Sequence, residues 1–150
     1  MESSSPQAPA GLRTTPSWLL SQTAGHAARL VAAGFAAYDL RGYHFRLLAA
    51  LAEGGPASQA DLGRRCAIDR SDVVAAINEL AGRGLVVRAP DPADRRRNVI
   101  SLTAAGADQA RQLADTVGSV QDDLLAPLSE SERTQLTRLL TRLLEHHSQR

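Results

Sequence analysis

The chain has 150 residues, 43% of them hydrophobic and 22% charged, with a formal net charge of +1 at pH 7. This length and composition suit one globular domain, or a domain with helical extensions, and exclude a chain that is disordered throughout. No run approaches the roughly 18 uncharged apolar residues that a membrane span requires, so no membrane partner is expected.

The N-terminal segment and the cysteine content both predict a cytoplasmic location. The opening residues MESSSPQAPAG lack the basic and apolar parts of a secretion signal. The single cysteine, Cys66, cannot form an intramolecular disulfide, which agrees with a reducing compartment. Residues 1–15 are rich in Ser, Pro, Ala and Gln and are predicted to form a flexible N-terminal tail.

Helical spacing of apolar residues predicts that the first structured part of the chain is α-helical. A long helix begins near Pro16 and ends near Leu40 to Gly42, and a second helix follows that is stopped by Gly54 and Pro56. The apolar stripe of the first helix consists of Leu20, Ala24, Ala27, Val31, Phe35 and Tyr38, and that of the second helix consists of Leu47, Leu48 and Leu51.

Two short segments then have the lengths, and the start and stop signals, that are typical of a helix-turn-helix. Ser58 begins a capping signature for a third helix that runs from Gln59 to about Cys66. Asp69 and Asp72 predict the start of a fourth helix, which ends at Gly82. The predicted buried face of this fourth helix consists of Val73, Ala76, Ile77 and Leu80.

Two β-branched runs predict an antiparallel hairpin after the helix-turn-helix. The first run is Leu85–Val87, and the second is Val99–Leu102, in which apolar and polar residues alternate. The predicted loop between them contains Pro90 and Pro92, which cannot extend a strand ladder, and the consecutive arginines 95–97. We therefore expect the arginine cluster at the tip of the hairpin.

Two further helices are predicted in the C-terminal part of the chain. One begins at Thr103 and is broken at Pro127, and the last begins with a capping box of Ser129 and Glu132. The apolar stripe of the last helix consists of Leu136, Leu139, Leu140, Leu143 and Leu144. A small helix-turn-helix core cannot cover the apolar faces of the first and last helices, so a second copy of the chain is the expected cover, in a homodimer.

A hairpin beside a helix-turn-helix is the winged-helix arrangement, and the residues at each join resemble the MarR family of bacterial transcription regulators. The most specific parts are IDRSDVVAAINELAGRGLVVR, residues 68–88, and DPADRRRNVISLTAAG, residues 91–106. The expected fold is mainly α, a winged helix-turn-helix with a small antiparallel β-hairpin wing and long N- and C-terminal dimerisation helices. The N-terminal dimerisation helix is assigned to residues 16–40, the DNA-binding domain to 41–105 and the C-terminal dimerisation helices to 106–150.

The resemblance implies that the wing enters a minor groove of DNA through an Asp-x-Arg motif, which matches Asp94 and Arg96. A narrow minor groove concentrates negative potential, and a guanidinium is long, planar and permanently charged. Arg95 and Arg97 are expected to contact flanking phosphates. Asp94 is expected to act structurally, by holding a neighbouring arginine or capping the loop. The alternative for the whole cluster is a solvated charged loop.

The fourth helix is expected to lie in the major groove with its N-terminal half against base edges. Its predicted DNA-binding residues are Arg70, Ser71, Asp72, Val74, Ala75 and Asn78. Asn78 suits adenine and Val74 suits a thymine methyl. Asp72 either accepts from a cytosine amino group or caps the backbone of Asp69. Glu79 stands where relatives often have a basic residue, which predicts weaker backbone affinity or a different tilt in the groove.

The resemblance also implies release of DNA when a small aromatic acid, often phenolic, occupies a cleft between the dimerisation helices and the winged domain. Candidate lining residues are Trp18, His26, Phe35, Tyr38, His44 and Arg46. Each has an ordinary alternative as core, interface or surface, because aromatic residues at helical spacing usually pack inside. Cys66 is interpreted as buried packing rather than as a redox sensor. No metal site and no cofactor are expected.

The sequence therefore predicts a dimeric repressor, or less often an activator, that binds pseudo-palindromic double-stranded DNA. An enzyme is disfavoured because the chain lacks G-x-S-x-G, H-E-x-x-H and a glycine-rich phosphate loop. A winged-helix adaptor that binds only proteins stays open as the alternative, because Asp72 and Glu79 alter the charge of the DNA-facing surface.

Overall fold

The computed structural model describes residues 8–149, which form six α-helices and a three-stranded antiparallel sheet. The predicted mainly α-helical winged helix-turn-helix is confirmed. The elements in chain order are α1 (Pro16–Ala36), α2 (Gly42–Gly54), β1 (Ala57–Ser58), α3 (Gln59–Cys66), α4 (Arg70–Gly82), β2 (Val86–Pro90), β3 (Asn98–Leu102), α5 (Ala104–Leu124) and α6 (Glu130–Ser148).

The N-terminal part of the chain differs from the predicted tail. Of that predicted tail, residues 1–7 lie outside the described residues, and the remainder includes a turn before α1. The Leu12 backbone N–H donates to the Pro9 carbonyl at 2.9 Å, and the Thr15 hydroxyl donates to the Gly11 carbonyl at 3.0 Å. The helix α1 then begins at Pro16, as predicted, because a proline at the first helical position loses no hydrogen bond.

The end of α1 was predicted four to six residues too late. The helix ends at Ala36, and Asp39 adopts a left-handed backbone conformation with φ 54°. The Leu40 N–H donates back to the Phe35 carbonyl at 3.2 Å, which closes the last turn and directs Leu40 into the core. Aspartate takes the position that glycine usually occupies in such a turn, so the sequence carried no obvious stop signal.

The helix-turn-helix is formed by α3 and α4, and the predicted bounds of α3 are confirmed. The Ser58 hydroxyl accepts from the Asp61 N–H at 3.2 Å and caps α3. The predicted inward face of α4 is buried, with Val73, Ala76, Ile77 and Leu80 each at most 5% exposed. The predicted start of α4 is confirmed, with Asp69 at the N-cap position, although the Asp69 side chain forms no cap hydrogen bond.

The sheet has three strands rather than the predicted two. The short strand β1 pairs with β3, opposite Val99 and Ile100, and β3 pairs on its other side with β2. The prediction that Pro90 lies in the loop is also wrong, because it ends β2 opposite Asn98. The Asp91 N–H donates to the Arg97 carbonyl at 2.8 Å, so the nitrogen of the preceding residue, Pro90, faces away from β3 and needs no partner.

The core lies where α2, α3, α4 and the sheet meet α5. The predicted N-terminal residue of α5 is confirmed as its cap, since the Thr103 hydroxyl accepts from the Gly106 N–H at 3.0 Å. Gly106 lies against the Leu85 carbonyl, where any side-chain carbon would collide with that oxygen. The largest fully buried side chains are those of Leu47, Leu48, Leu62, Ile77, Leu80, Ile100, Leu113, Val73 and Val86.

The last helix, α6, has the predicted start but buries no residue within the single chain. The Ser129 hydroxyl accepts from the Glu132 N–H at 3.2 Å, and the Glu132 carboxylate accepts from the Ser129 N–H at 2.9 Å. Hydrogen bonding of the Glu132 carboxylate to the Ser129 backbone N–H, and next to the Ser129 side chain, lowers the pKa of Glu132. Of the predicted stripe, Leu139, Leu140, Leu143 and Leu144 are exposed and Leu136 is half-buried.

Candidate nucleic-acid interface

The wing, defined as β2, β3 and the loop of residues 91–97, ends in an ordered turn. The Arg97 N–H donates to the Asp94 carbonyl at 2.9 Å. The Asp94 carboxylate accepts from the backbone N–H of Arg96 at 3.1 Å and from its guanidinium Nε at 3.4 Å. The Arg96 side chain is nevertheless 92% exposed. Its guanidinium is thus held at its base and projects into solvent from the tip of the wing.

The two arginines beside Arg96 have different surroundings. Arg95 is exposed and forms no side-chain hydrogen bond within residues 8–149. Arg97 donates from Nη2 to the Ser58 hydroxyl at 3.1 Å and so contacts the residue that caps α3. Nothing in the local sequence distinguishes Arg95 from Arg97, because Ser58 lies 39 positions away.

The predicted DNA-binding face of α4 is exposed. All six of its residues are exposed: Arg70, Ser71, Asp72, Val74, Ala75 and Asn78. Asp72 forms no side-chain hydrogen bond in the described part of the chain, so its proposed capping of the Asp69 backbone is absent. The Asp72 carboxylate is therefore exposed on this face of α4 and available to a binding partner.

Asn78 is less free than the sequence suggested. The Arg88 guanidinium on β2 donates to the Asn78 side-chain oxygen and also, at 3.3 Å, to the side-chain oxygen of Gln59. Arg88 and Gln59 were missed by the sequence analysis, since nothing in their local sequence indicates a contact between three elements. The amide group of Asn78 consequently has a defined orientation before any partner binds.

A cleft of about 760 Å³ separates the wing from the start of α3 and α4. Its charged lining residues are Arg64, Asp69, Arg70, Arg96 and Arg97. Four guanidiniums and one carboxylate give this cleft an excess of positive charge although the net charge of the whole chain is only +1. Such a concentrated positive field attracts a polyanion, whereas the overall charge would not.

The predicted ligand-lining residues do not form one site. Phe35 is buried in the core and packs against Phe45 with ring centroids 5.3 Å apart. Tyr38 also packs against the core. Trp18 is half-buried on α1, whereas His26 is exposed and bonded to Arg29. Arg46 is exposed and donates to the Cys66 carbonyl at 2.8 Å.

The remaining candidate, His44, borders a second cleft of about 690 Å³ between the end of α1, the start of α2 and the end of α4. Its ring is buried, and its Nδ1 accepts from the Arg41 backbone N–H at 2.9 Å. An accepting nitrogen carries no proton, so Nε2 is the protonated nitrogen and donates to the Glu79 carboxylate at 2.8 Å. This hydrogen bond links Glu79 of α4 to His44 of α2.

Cys66 is buried and its thiol donates to the Arg46 carbonyl at 3.4 Å. Burial raises the pKa of the Cys66 thiol, and the positive charges of Arg46 and Arg65 offset part of that rise. Because the thiolate is the reactive form, both the burial and the raised pKa make this cysteine a poor redox sensor.

We expect the Cys66 thiol of the folded protein to react with a disulfide reagent at pH 8 at least about 100-fold more slowly than that of the unfolded protein. Thiol labelling followed by absorbance, with and without guanidinium chloride, measures both rates. Equal rates in the two states would show that Cys66 is accessible in the native protein.

Within residues 8–149, no helix combines the length and the apolar character that crossing a membrane requires. No group of three or more His, Cys, Asp or Glu side chains in the same residues is arranged to hold a metal ion.

The helix-turn-helix, the wing on its three-stranded sheet and the basic cleft between them define a winged-helix protein. The sequence profile described as the MarR family matches residues 38–97, which include α2, α3, α4 and most of the wing. The chain is 30% identical over 107 residues to the HTH-type transcriptional repressor NicR of Pseudomonas putida, covering 71% of this chain and 68% of NicR. The chain therefore belongs to the MarR family.

Solved structures show the same fold. A probable transcriptional regulator from Pseudomonas aeruginosa is 35% identical with a TM-score of 0.78, covering 88% of this chain and 98% of that protein. The BpsR protein of Bordetella bronchiseptica, described in terms of the regulation of its DNA binding by 6-hydroxynicotinic acid, is 24% identical with a TM-score of 0.77, covering 91% and 97%. The similarity to BpsR concerns the fold alone.

Proposed function

We propose that this protein is a homodimeric transcriptional repressor that binds a pseudo-palindromic DNA operator. The observation that carries the proposal is the position of Arg96, whose guanidinium projects from the wing tip while Asp94 holds its base. A permanently charged, partly pre-oriented group at the end of a hairpin is suited to the narrow minor groove. Repression rather than activation is supported by the similarity to NicR.

The exposed face of α4 supplies the base contacts in this proposal. Arg70 and Ser71 lie in its first turn, where side chains of a recognition helix reach base edges or phosphates. Val74, 37% exposed, offers an apolar contact for a thymine methyl. Arg95 neutralises a flanking phosphate, which adds affinity without sequence information. The Asp94 carboxylate has a structural role, because its contacts are all within the wing.

The dimer is proposed to form through the helical extensions, residues 16–40 and 106–150. The exposed leucines of α6 support this, as do Leu19 and Leu20 on α1, each 44% exposed. A two-fold symmetric dimer places two recognition helices in successive major grooves about 34 Å apart, so the operator repeats in inverted orientation. Residues 41–105 are the DNA-binding domain in this assignment.

We further propose that a small aromatic acid releases the protein from DNA. Its support is the description of BpsR, whose DNA binding is linked to 6-hydroxynicotinic acid. A ligand acts by favouring the dimer whose recognition helices no longer match the groove spacing. Of the six candidate residues, His44 alone borders the cleft at the end of α4, so a ligand there would act on the His44–Glu79 bond.

The direct test is binding of the purified chain to fragments from the region beside its own gene, at several salt concentrations. A dimer that neutralises about six phosphates loses roughly 1,000-fold in affinity between about 50 and 200 mM salt. Fluorescence anisotropy with a labelled fragment measures this slope, and a fragment of scrambled sequence is the control. Protein that binds no fragment in a salt-dependent way would be a winged-helix adaptor for proteins instead.

A further inference from the structure

Arg97 joins the wing to the helix-turn-helix. Its Nη2 donates to the Ser58 hydroxyl at 3.1 Å, and Ser58 is only 8% exposed. The backbone of Arg97 closes the turn of the wing, because its carbonyl accepts from Asp91 and its N–H donates to Asp94. The backbone of Arg97 is therefore hydrogen-bonded within the wing, and its side chain is hydrogen-bonded to Ser58, the N-cap residue of α3.

Ser58 is the point where three elements meet. It is the last residue of β1, where it pairs with Val99 of β3, and it is the N-cap of α3 through its bond with the Asp61 N–H. A bond from Arg97 to this hydroxyl consequently attaches the wing tip to the start of α3. Arg95, two positions earlier, forms no side-chain hydrogen bond among the described residues.

We propose that Arg97 is a positioning residue that sets the angle between the wing and α4, rather than a phosphate contact. The proposal rests on the proposed DNA-binding function. Arg96 lies at the tip of the wing, far from its base. A small rotation of the wing about its base therefore moves the Arg96 guanidinium away from the DNA minor groove next to the major groove that α4 occupies. The bond to Ser58 resists that rotation, and Arg96 then meets the minor groove while α4 occupies the major groove.

Salt dependence distinguishes positioning from phosphate contact. Arg95→Ala is the matched control, because it removes the same charge two positions earlier in the same loop. We expect Arg95→Ala to reduce the slope of log affinity against log salt by about 1.8, the value for two lost phosphate contacts, one from each subunit of the dimer. We expect Arg97→Ala to weaken binding by roughly 10- to 150-fold with an unchanged slope, as for loss of a hydrogen bond to a charged group. A slope that falls equally in both variants would overturn the proposal.

A double-mutant cycle tests the bond itself. Ser58→Ala also removes the cap of α3, but this cost is present with and without Arg97 and cancels in the cycle. We expect Arg97→Ala to weaken DNA binding in the wild-type background and to have little further effect in the Ser58→Ala background. Additive losses would overturn the proposal. If Ser58→Ala does not fold by circular dichroism, the slope comparison still decides, because it uses only single arginine variants.

The wild-type protein separates this inference from the proposed function. Wild-type protein that shows no salt-dependent DNA binding would overturn both. Wild-type protein that binds in a salt-dependent way, together with equal slope changes in Arg95→Ala and Arg97→Ala, would overturn only the positioning role of Arg97.

Discussion

Replacement of Arg96 by alanine is expected to weaken operator binding by roughly 5- to 150-fold, because a well-placed arginine contact in a groove contributes about 1–3 kcal/mol. The side chain is 92% exposed, and among residues 8–149 its only hydrogen-bond partner is Asp94 in the same turn. The substitution should therefore leave the free energy of unfolding nearly unchanged. Fluorescence anisotropy measures the affinity, and thermal unfolding by circular dichroism checks the fold.

Two control variants separate the effects of charge, side-chain shape and position. Arg96→Lys keeps the charge but replaces a planar guanidinium by a compact, strongly hydrated ammonium, so it should recover only part of the affinity. Arg95→Ala removes an equal charge at the neighbouring exposed position and should have the smaller effect. An Arg96→Ala variant that binds as tightly as wild type would contradict the placement of this side chain in the DNA.

The parts of the fold that follow local rules were predictable from the sequence. The start of α1 at Pro16, the cap of α3 at Ser58 and the capping box of α6 depend on residues within a few positions of one another. The end of α1 was not predictable in this way, because Asp39 adopts the left-handed conformation that tertiary packing of Leu40 requires. The two-residue strand β1 was missed because its only support is pairing with β3, about 40 residues later.

The candidate interface shows the same division between local and long-range information. Exposure of Arg96 and its link to Asp94 involve residues two positions apart, which a motif can encode. The bonds from Arg97 to Ser58 and from Arg88 to Gln59 connect distant parts of the chain and depend on how the wing folds against α3. Electrostatic pairing of this kind has no periodicity, so it becomes visible only in three dimensions.

The dispersed ligand candidates also have a physical explanation. Aromatic residues at helical spacing were selected from α1 and α2, but the same spacing places side chains in a core. Phe35 accordingly packs on Phe45 in the interior. His44 was selected as a ligand candidate near the first two helices, and Glu79 on α4 was singled out separately as an acidic residue where relatives often have a basic one; the structure joins the two by a hydrogen bond. Their contact connects a cleft at the end of α1 with the helix proposed to read DNA.

Replacement of Leu143 by glutamate is expected to convert the proposed dimer to a monomer. Leu143 is 49% exposed in the single chain and lies near the C-terminal end of the apolar stripe on α6, a helix without a buried residue. A contiguous exposed apolar surface of this kind indicates an interface, and a carboxylate placed in it loses its hydration without a compensating partner. Sedimentation velocity at several protein concentrations measures the dimer fraction.

The loss of DNA binding caused by Leu143→Glu should also be large. Linking two half-site contacts raises affinity by roughly 10²- to 10⁴-fold over one half-site, so a monomeric variant should lose at least about 100-fold. Thr134→Glu is the matched control, because it makes the same change in charge at an exposed position nine residues earlier, about two and a half turns, and therefore on the opposite side of α6. A Leu143→Glu variant that remains dimeric, or a Thr134→Glu variant that dissociates equally, would place the subunit interface elsewhere. Because the spacing of the two recognition helices follows from that interface, the operator geometry proposed above would change with it.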